Sequence, residues 1–209
     1  FKLQGVKIFT VPAIDQWANS QGIVGNLKPI IIEDLLRRDT IDINLQKNVM
    51  QYQDKTILVT GAAGSIGSET VRQLLKFKPH KLILLDQAET PLFDLKNELL
   101  KKKHTTQFEF LLCSVSNLAS VEQCFKAHTI DVVFHAAAYK HVFMTETTPA
   151  AAILNNILGT KNVVDVAIKN NTTHFVMVST DKAVNPSNVM GASKRIAEMY
   201  LANQAESSN

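Results

Sequence analysis

The glycine-rich stretch at residues 55–67 constrains the fold more than any other part of the sequence. A short apolar run, Thr56–Thr60, opens directly into Gly61, Gly64 and Gly67, and a helical pattern follows. Glycines at this spacing let the backbone turn sharply, approach a ligand without an intervening Cβ, and pack the next helix against a sheet. The helix N-terminus then presents free N–H groups to an anion. The sequence therefore predicts a strand, a phosphate-binding turn and a helix.

An acidic residue at the end of the next apolar run, Lys81–Leu85, supports a nucleotide site. Asp86 lies at about the 20-residue offset from the glycine turn that is expected for a carboxylate binding the adenosine ribose hydroxyls. A carboxylate at this place favours NAD over NADP, whose extra phosphate it would repel. The alternative is that Asp86 only caps the helix predicted to begin at Ala88.

The composition is that of an ordinary globular protein, with 45% hydrophobic and 20% charged residues in 209 positions. A net charge of +3 is too small to indicate nucleic-acid binding. The two cysteines, Cys113 and Cys124, form neither a disulfide framework nor a metal-binding spacing, so we expect no metal site and a reducing, cytoplasmic location. The sequence contains no signal peptide and no apolar run long enough to span a bilayer.

Strand and helix patterns alternate from residue 55 onwards. Alternation of this kind indicates right-handed βαβ units around a parallel sheet. The predicted fold is α/β: a Rossmann-like doubly wound parallel sheet with helices on both faces. The strands are predicted at Thr56–Thr60, Lys81–Leu85, Phe108–Cys113, Val132–Phe134 and Phe175–Val178, and the helices at Ser65–Phe77, Thr90–Lys102, Leu118–Ala127, Ala150–Lys169 and Met190–Asn203.

A short mixed segment precedes this sheet. Residues 1–28 are interpreted as the tail of a preceding domain or a linker, residues 29–54 as a helical lead-in, and residues 55–209 as the dinucleotide-binding domain. The elements predicted ahead of the domain are a strand at Gly5–Val11 and short helices at Ala13–Asn19, Ile31–Asp39 and Asn44–Gln51.

The residues just after each strand are the candidate ligand contacts, because ligands of such sheets bind at the carboxyl ends of the strands. Ser114 and Val115 follow the third strand and are expected to flank the adenine. After the fourth strand, three alanines at 136–138 let the chain pass close under a cofactor, while Lys140 and His141 offer donors beside it. The alternative for this last segment is a polar loop with chance histidines.

The segment after the fifth strand carries the residues best suited to proton transfer. Asp181 and Lys182 are adjacent, and burial beside a cofactor can tune the pKa of both groups toward neutrality. Met190 and Lys194 are four residues apart in the next predicted helix and share one face. Short-chain dehydrogenases carry Tyr-x-x-x-Lys at this place, and a thioether cannot exchange a proton as tyrosine does. The alternative is a core methionine and a surface lysine.

Three long motifs together resemble one family. They are VTGAAGSIGSE at 59–69, FHAAAYKHV at 134–142 and STDKAVNPSNVMGASKR at 179–195. This combination resembles the nucleotide-sugar dehydratases of capsular polysaccharide and glycan biosynthesis, which are extended short-chain dehydrogenases and typically UDP-N-acetylglucosamine 4,6-dehydratases. The resemblance extends roughly from Ile30 to the C-terminus.

The resemblance implies a reaction with no net redox change. The family uses a tightly held NAD as a hydride store: oxidation at C4 acidifies the C5 proton, water leaves across C5 and C6, and the hydride returns to C6. By resemblance, Asp181 protonates the departing C6 hydroxyl and Lys182 removes the C5 proton. Thr180 hydrogen-bonds the C4 oxygen, and Lys194 holds the nicotinamide ribose. Because Met190 replaces tyrosine, the acceptor of the C4 hydroxyl proton stays open between Asp181 and a bound water.

The predicted site therefore has three parts. The catalytic residues are Thr180, Asp181, Lys182, Met190 and Lys194. NAD is assigned to Gly61, Ala63, Gly64, Ser65, Ile66, Gly67, Asp86, Ser114, Val115, Ala136, Ala137, Ala138 and Lys194. A UDP-sugar substrate is assigned to Lys140, His141 and Asn185. Asn155 and Asn156 resemble the family motif Asn-Asn-x-x-Gly-Thr, whose asparagine supports the loop of an active-site strand.

The resemblance also bears on the parent protein. Family members continue beyond the helix of Lys194 with a smaller lobe that grips the sugar nucleotide, so we expect that lobe to be absent here. Residues 32–38 resemble the segment ahead of the catalytic domain in large members, which leaves open a parent anchored at the cytoplasmic face of the inner membrane. A homo-oligomer is expected, with the helices at 90–102 and 150–169 available for pairing.

Two alternatives to a dehydratase that retains the C5 configuration stay open. A C5-inverting dehydratase or a 4-epimerase of UDP-sugars would be expected to carry tyrosine at position 190. A cofactor-binding fragment without activity of its own is the second alternative, because the remote part of a substrate supplies binding energy that positions it for reaction.

Overall fold

The protein is described by a computed structural model. The residues that the structure describes are 51–207, together with 9–10, 28–29 and 49. The chain divides into two units, Phe1–Asn44 and Leu45–Asn209. No helix within the described ranges is both long and apolar enough to cross a bilayer.

In the first unit, strand β1 (Phe9–Thr10) pairs antiparallel with β2 (Lys28–Pro29). Strand β1 lies inside the strand predicted at Gly5–Val11, whereas β2 was not predicted. The helices predicted at Ala13–Asn19 and Ile31–Asp39 lie outside the described residues. Of the helix predicted at Asn44–Gln51, Val49 and Gln51 are described, and both are helical.

The second unit is built on a parallel sheet of five strands in the order β5-β4-β3-β6-β7. The central strand is apolar on both faces, and Ile57, Leu58 and Val59 are fully buried, as expected for a parallel strand covered by helices on each side. All five predicted strands are confirmed to within two residues at each end. Their bounds are β3 Thr56–Thr60, β4 Lys81–Asp86, β5 Gln107–Leu112, β6 Val132–His135 and β7 His174–Met177.

Alternate residues of the strands supply two separate cores. Ile57 and Leu82 belong to the core that also contains Val71 of helix α1 (Ser65–Leu74). Leu58 packs in the opposite core. The doubly wound α/β architecture is therefore confirmed. The remaining helices are α2 Glu89–Leu100, α3 Leu118–Ala127, α4 Val142–Thr147, α5 Pro149–Ala152, α6 Gly159–Lys169 and α7 Val189–Ser207.

The long helix predicted at Ala150–Lys169 is interrupted. A π-helical turn, Ile153–Leu158, separates α5 from α6. Such turns insert an extra residue into the helical ladder and occur frequently at functional sites. Here the turn carries Asn155 and Asn156, both of which are buried. The short helix α4 was not predicted, because six residues provide too little periodicity to be recognised.

Candidate active site at the carboxyl edge of the sheet

The glycine turn between β3 and α1 is shaped by close backbone contacts. Gly61 has a φ of +63°, and a Cβ on it would lie 2.6 Å from the Ala137 backbone. A Cβ on Gly67 would lie 2.0 Å from the carbonyl oxygen of Gly61. The fold itself therefore requires glycine at these two positions.

Gly64 has a different environment. A Cβ on Gly64 would meet only the Gly61 carbonyl oxygen, at 3.2 Å. Gly64 is also the N-cap of α1, and no side chain caps the helix there. Among the described residues, no side chain therefore covers the first N–H groups of α1. A helix N-terminus with uncovered N–H groups is the arrangement that binds phosphate.

Asp86 ends β4 and is buried, with 9% of its surface exposed. Its Oδ2 accepts a hydrogen bond from the Ala63 amide at 2.9 Å, and its Oδ1 accepts one from the Ala88 amide at 2.9 Å. The carboxylate thus ties the glycine turn to the residue before α2. Asp86 is not the helix cap of the alternative interpretation, because the N-cap of α2 is Ala88 and no side chain of the described residues caps the helix there. Each oxygen retains a lone pair for a further donor.

Two cavities meet at the glycine turn. The smaller one, about 220 Å³, contains Asp86, and the larger one, about 460 Å³, contains Lys140 and His141. Gly61 and Gly64 line both, so a long ligand can extend from one cavity into the other. The predicted cofactor residues that line at least one of them are Gly61, Ala63, Gly64, Ser65, Ile66, Gly67, Asp86, Ser114, Val115, Ala136, Ala137 and Ala138. Of these, Val115 and Ala137 line the smaller cavity, whereas Lys194, also a predicted cofactor residue, lines neither.

The loop after β5 is anchored to α6. Asn162, which is buried, donates from Nδ2 to the carbonyl oxygens of Val115 at 3.1 Å and Ser116 at 3.2 Å. A Cβ on Gly159 would lie 2.6 Å from Cγ2 of Val115. Helix α6 therefore holds Ser114 and Val115 in place as part of the wall of the smaller cavity. Asn162 was missed at the level of sequence because its partners are more than 40 positions away.

Asn156 connects the loop after β6 to helix α7. Its Oδ1 accepts from the Tyr139 amide at 2.8 Å, and its Nδ2 donates to the Tyr139 carbonyl at 3.0 Å. The same Nδ2 donates to Oγ of Ser193 at 2.9 Å, and Ser193 donates to the Met190 carbonyl at 2.7 Å. The side chain of Asn156 is fully buried. Asn156 thereby fixes the position of the cavity wall at Tyr139 relative to the first turn of α7.

His135 lies beneath this connection and is fully buried. Nδ1 lies 2.7 Å from Oγ1 of Thr60, and Nε2 lies 3.0 Å from Oγ1 of Thr160. Because Thr160 donates its hydroxyl proton to the Asn156 carbonyl at 2.6 Å, it must accept from Nε2–H. Thr60 then donates to Nδ1, which fixes the tautomer. Burial, and secondarily the charge of Lys194, lowers the pKa of His135 to about 3, so the ring is neutral.

Helix α7 buries the two residues predicted on its ligand face. Met190 is 3% exposed and Lys194 is 4% exposed. Burial lowers the pKa of Lys194, while Glu198 one turn later opposes that change. The alternative of a surface lysine is therefore wrong, whereas Met190 does pack as a buried residue.

Gly191 brings the loop of the predicted catalytic residues against α7. A Cβ on Gly191 would lie 2.2 Å from the carbonyl oxygen of Lys182. The loop itself folds as a short 3-10 turn, Asp181–Ala183, in which Oγ1 of Thr180 accepts from the Lys182 amide at 3.3 Å. Thr180, Asp181 and Lys182 thus lie beside the start of the helix that carries Met190 and Lys194.

The chain by itself does not bury the acid and base pair, whose burial was expected beside a bound cofactor. The side chain of Asp181 is 89% exposed and that of Lys182 is 51% exposed, with 3.6 Å between Oδ1 and Nζ. The Thr180 hydroxyl, which donates to Asp181, and the charge of Lys182 lower the pKa of the Asp181 carboxyl. Asp181 is therefore ionised at neutral pH, because solvent and two neighbours stabilise the charged form.

The three residues predicted to bind substrate are in different surroundings. Lys140 donates from Nζ to Oγ of Ser65 at 3.1 Å, at the first residue of α1. His141 is the N-cap of α4. Asn185 is exposed, has a φ of +48° and lines neither of the two cavities at the glycine turn. The cavity edge therefore brings Lys140 and His141 together but leaves Asn185 with the Thr180–Lys182 loop.

A family model described as Polysaccharide biosynthesis protein matches residues 57–209. The chain is 45% identical, over 95% of its length and 33% of the relative's, to the capsular polysaccharide biosynthesis protein CapD of Staphylococcus aureus. It thus spans about a third of the length of the curated relatives it matches.

Solved structures with the same fold agree with this match. The X-ray structure of Pen from Bacillus thuringiensis has a TM-score of 0.70 and 33% identity, covering 75% of this chain and 47% of Pen. The UDP-glucose 4-epimerase of Thermotoga maritima, solved with UDP-glucose, has a TM-score of 0.64 and 27% identity, covering 72% of this chain and 51% of the epimerase.

Proposed function

This chain belongs to the polysaccharide biosynthesis protein family, and we propose that it is the NAD-binding part of a UDP-N-acetylglucosamine 4,6-dehydratase. The observation that carries the proposal is the packing of Gly191 on the Lys182 carbonyl. That contact sets the Asp181–Lys182 pair beside the helix of the buried Lys194, at the sheet edge that also holds the glycine turn. The name of the S. aureus relative supports a role in capsular polysaccharide synthesis.

The glycine turn and Asp86 fit NAD. The open backbone face at Gly64 accommodates a diphosphate, and the remaining lone pairs of Asp86 can accept both adenosine ribose hydroxyls. The charge of Asp86 disfavours the additional phosphate of NADP. When bound, NAD supplies a reversible acceptor for a hydride from the sugar. Lys194, whose charge is otherwise buried, would hold the nicotinamide ribose.

The Thr180–Lys182 loop supplies the proton transfers. Thr180 hydrogen-bonds the C4 oxygen of the sugar, Lys182 removes the C5 proton, and Asp181 protonates the departing C6 hydroxyl. The acid role requires a protonated carboxyl, whereas the pKa of Asp181 is lowered while the loop is exposed. A bound sugar would exclude solvent from Asp181 and thereby raise its pKa, since desolvation disfavours the charged form. Substrate binding would therefore give Asp181 the pKa that its role as an acid requires.

The C4 hydroxyl proton needs an acceptor other than position 190. Met190 is buried and its thioether takes up no proton. We propose that Asp181, while still ionised, or a water bound beside it accepts this proton. Transfer to Asp181 would also supply the proton that this residue then delivers to the departing C6 hydroxyl. The UDP part of the substrate is assigned to Lys140 and His141 at the edge of the larger cavity, with Asn185 beside the catalytic loop.

A 4-epimerase is the second candidate, because the T. maritima protein with this fold is a UDP-glucose 4-epimerase. The two reactions use the same hydride acceptor and differ in what happens after C4 is oxidised. An epimerase returns the hydride to C4 and leaves the mass of the sugar nucleotide unchanged. A C5-inverting dehydratase loses water as the proposed enzyme does and differs only in product stereochemistry.

Mass spectrometry of the sugar nucleotide tests the proposal. The chain is incubated with NAD and UDP-N-acetylglucosamine, and the product is separated and then examined by NMR for its C5 configuration. We expect a sugar nucleotide lighter by one water with the C5 configuration retained. An isomer of unchanged mass would establish the epimerase instead. Recovery of the substrate alone would contradict an enzymatic activity of this chain by itself and would favour a cofactor-binding fragment without activity of its own.

A further inference from the structure

A side-chain hydrogen bond joins the two sides of the groove that the two cavities form at the glycine turn. Nε2 of Gln87 donates to the hydroxyl of Tyr139 at 3.0 Å, although the residues are 52 positions apart. Gln87 lines the smaller cavity and Tyr139 lines the larger one. They follow β4 and β6, the two strands that flank β3 in the sheet. The bond therefore crosses the groove from the residue after β4 to the loop after β6, over the glycine turn that follows β3.

The backbone is fixed at both ends of this bond. Gln87 lies between Asp86 and Ala88, whose carboxylate and amide are hydrogen-bonded to each other around it. The backbone amide and carbonyl of Tyr139 are both bound by the buried side chain of Asn156. Two fixed attachment points reduce the conformational entropy that the bond must overcome. The side chains themselves stay accessible, with Tyr139 40% exposed.

We propose that Gln87 and Tyr139 form a clasp that closes over the diphosphate region of the bound dinucleotide and slows its release. The proposal rests on the proposed function, since it presupposes NAD. A dinucleotide with its ribose at Asp86 and its diphosphate at Gly64 follows the same path from the smaller to the larger cavity that the bond spans. A cofactor that is regenerated within each turnover need not exchange, so slow release costs the reaction nothing.

The dissociation rate of NAD measures the clasp directly. The chain is loaded with radiolabelled NAD, freed from excess label by rapid gel filtration, and chased with unlabelled NAD. The variants are Tyr139→Phe and Gln87→Leu, each of which removes one partner of the bond. Tyr200→Phe is the matched control, because it removes a hydroxyl that donates to Asp165 on the outer surface of α6 and α7. A double variant that carries both clasp substitutions is also prepared, and association rates are measured for all five proteins.

We expect both clasp variants to release NAD about three- to tenfold faster, the change that follows from losing one hydrogen bond, with unchanged association rates. The double variant should release NAD no faster than either single variant, because both remove the same bond. Tyr200→Phe should match the wild type. Unchanged release, or faster association in the variants, would overturn the clasp; the second result would show that the bond blocks entry instead. Failure of the wild type to retain label would overturn the NAD assignment and the clasp with it.

Discussion

The two ends of the candidate site differ in how their charged groups are held. Asp86, at the nucleotide end, is buried, and both of its oxygens are fixed by backbone amides from two different elements. Asp181, at the catalytic end, is exposed, and among the residues that the structure describes its carboxylate accepts hydrogen bonds only from Thr180 and Lys182, its immediate neighbours in sequence. The first carboxylate is oriented by the fold, and the second only by local turn geometry.

This difference indicates what each end contributes. A group oriented by the fold binds without reorganisation, so the nucleotide end is ready to hold a cofactor. A group oriented by a short turn depends on its ligand for burial and for its final pKa. The comparison therefore separates substitutions that change cofactor binding from those that change turnover, and the following experiments test that separation.

The largest effect is expected from Lys182→Met. Loss of the base should lower turnover of UDP-N-acetylglucosamine by about 10³-fold, the scale of a positioned general base. Binding of NAD should stay within twofold of the wild type, because the Lys182 side chain is half-exposed and lines neither cavity. Lys126→Met, at an exposed lysine of α3, is the control. Steady-state assays and calorimetry measure the two quantities, and a parallel loss of NAD binding would break the separation.

The next largest effect is expected from alanine at Gly64. The added Cβ should lower NAD affinity by about 100-fold, because it displaces the diphosphate from the helix N-terminus. The free energy of unfolding should change much less than for Gly67→Ala, since the nearest contact of that Cβ is the Gly61 carbonyl oxygen at 3.2 Å, which has to shift by only a few tenths of an ångström. Gly67→Ala provides the contrast: a Cβ 2.0 Å from the Gly61 carbonyl should destabilise the fold itself. Equal stability of the two variants in urea unfolding would contradict this account.

A smaller effect is expected from Asp86→Asn. Loss of the charge should weaken NAD binding by about tenfold, the scale of a charge-assisted hydrogen bond. Binding of NADP should weaken less or improve, because the repulsion of its additional phosphate is removed. Competition between the two nucleotides in a binding assay measures the ratio. A ratio of the two affinities equal to that of the wild type would show that Asp86 serves only to tie the glycine turn to the start of α2.

The smallest effect concerns pH and the buried His135. Its pKa is lowered to about 3 in the folded chain, below the ordinary value of 6.5, so protons bind preferentially to the unfolded state. The contribution of neutral His135 to the free energy of unfolding is therefore fully present above pH 6.5 and is lost as the pH falls toward 3. Between pH 6.5 and 5 the free energy of unfolding should fall by an amount on the order of 1 kcal/mol. Urea unfolding of His135→Gln should show a shallower pH dependence than the wild type, and an identical slope would contradict the assignment.

The sequence was sufficient to predict the features that depend on local patterns. The glycine spacing, the run that ends at Asp86 and the five strands are all encoded within segments of a few residues, and the α/β fold followed from them. The family followed from the three longer motifs at 59–69, 134–142 and 179–195. Met190 and Lys194 were likewise placed on one helical face by their spacing alone. These features need no knowledge of which distant residues come into contact.

Features that depend on distant contacts were not predicted. The Thr60–His135–Thr160 network joins residues up to 100 positions apart, and a histidine in an apolar strand shows nothing of its partners in sequence. The π-helical turn depends on what Asn156 binds across the site. The exposure of Asp181 in the chain by itself was not predicted, because the sequence does not reveal how much of a loop the rest of the chain covers.

The central claim is that the buried contacts of this chain build a site for NAD. Isothermal titration of the cofactor-free chain with NAD and with NADP tests it most directly. The account predicts one NAD per chain and an affinity for NADP at least about tenfold lower, equivalent to about 1.4 kcal/mol. No heat of binding with NAD, or equal affinities for the two nucleotides, would contradict it.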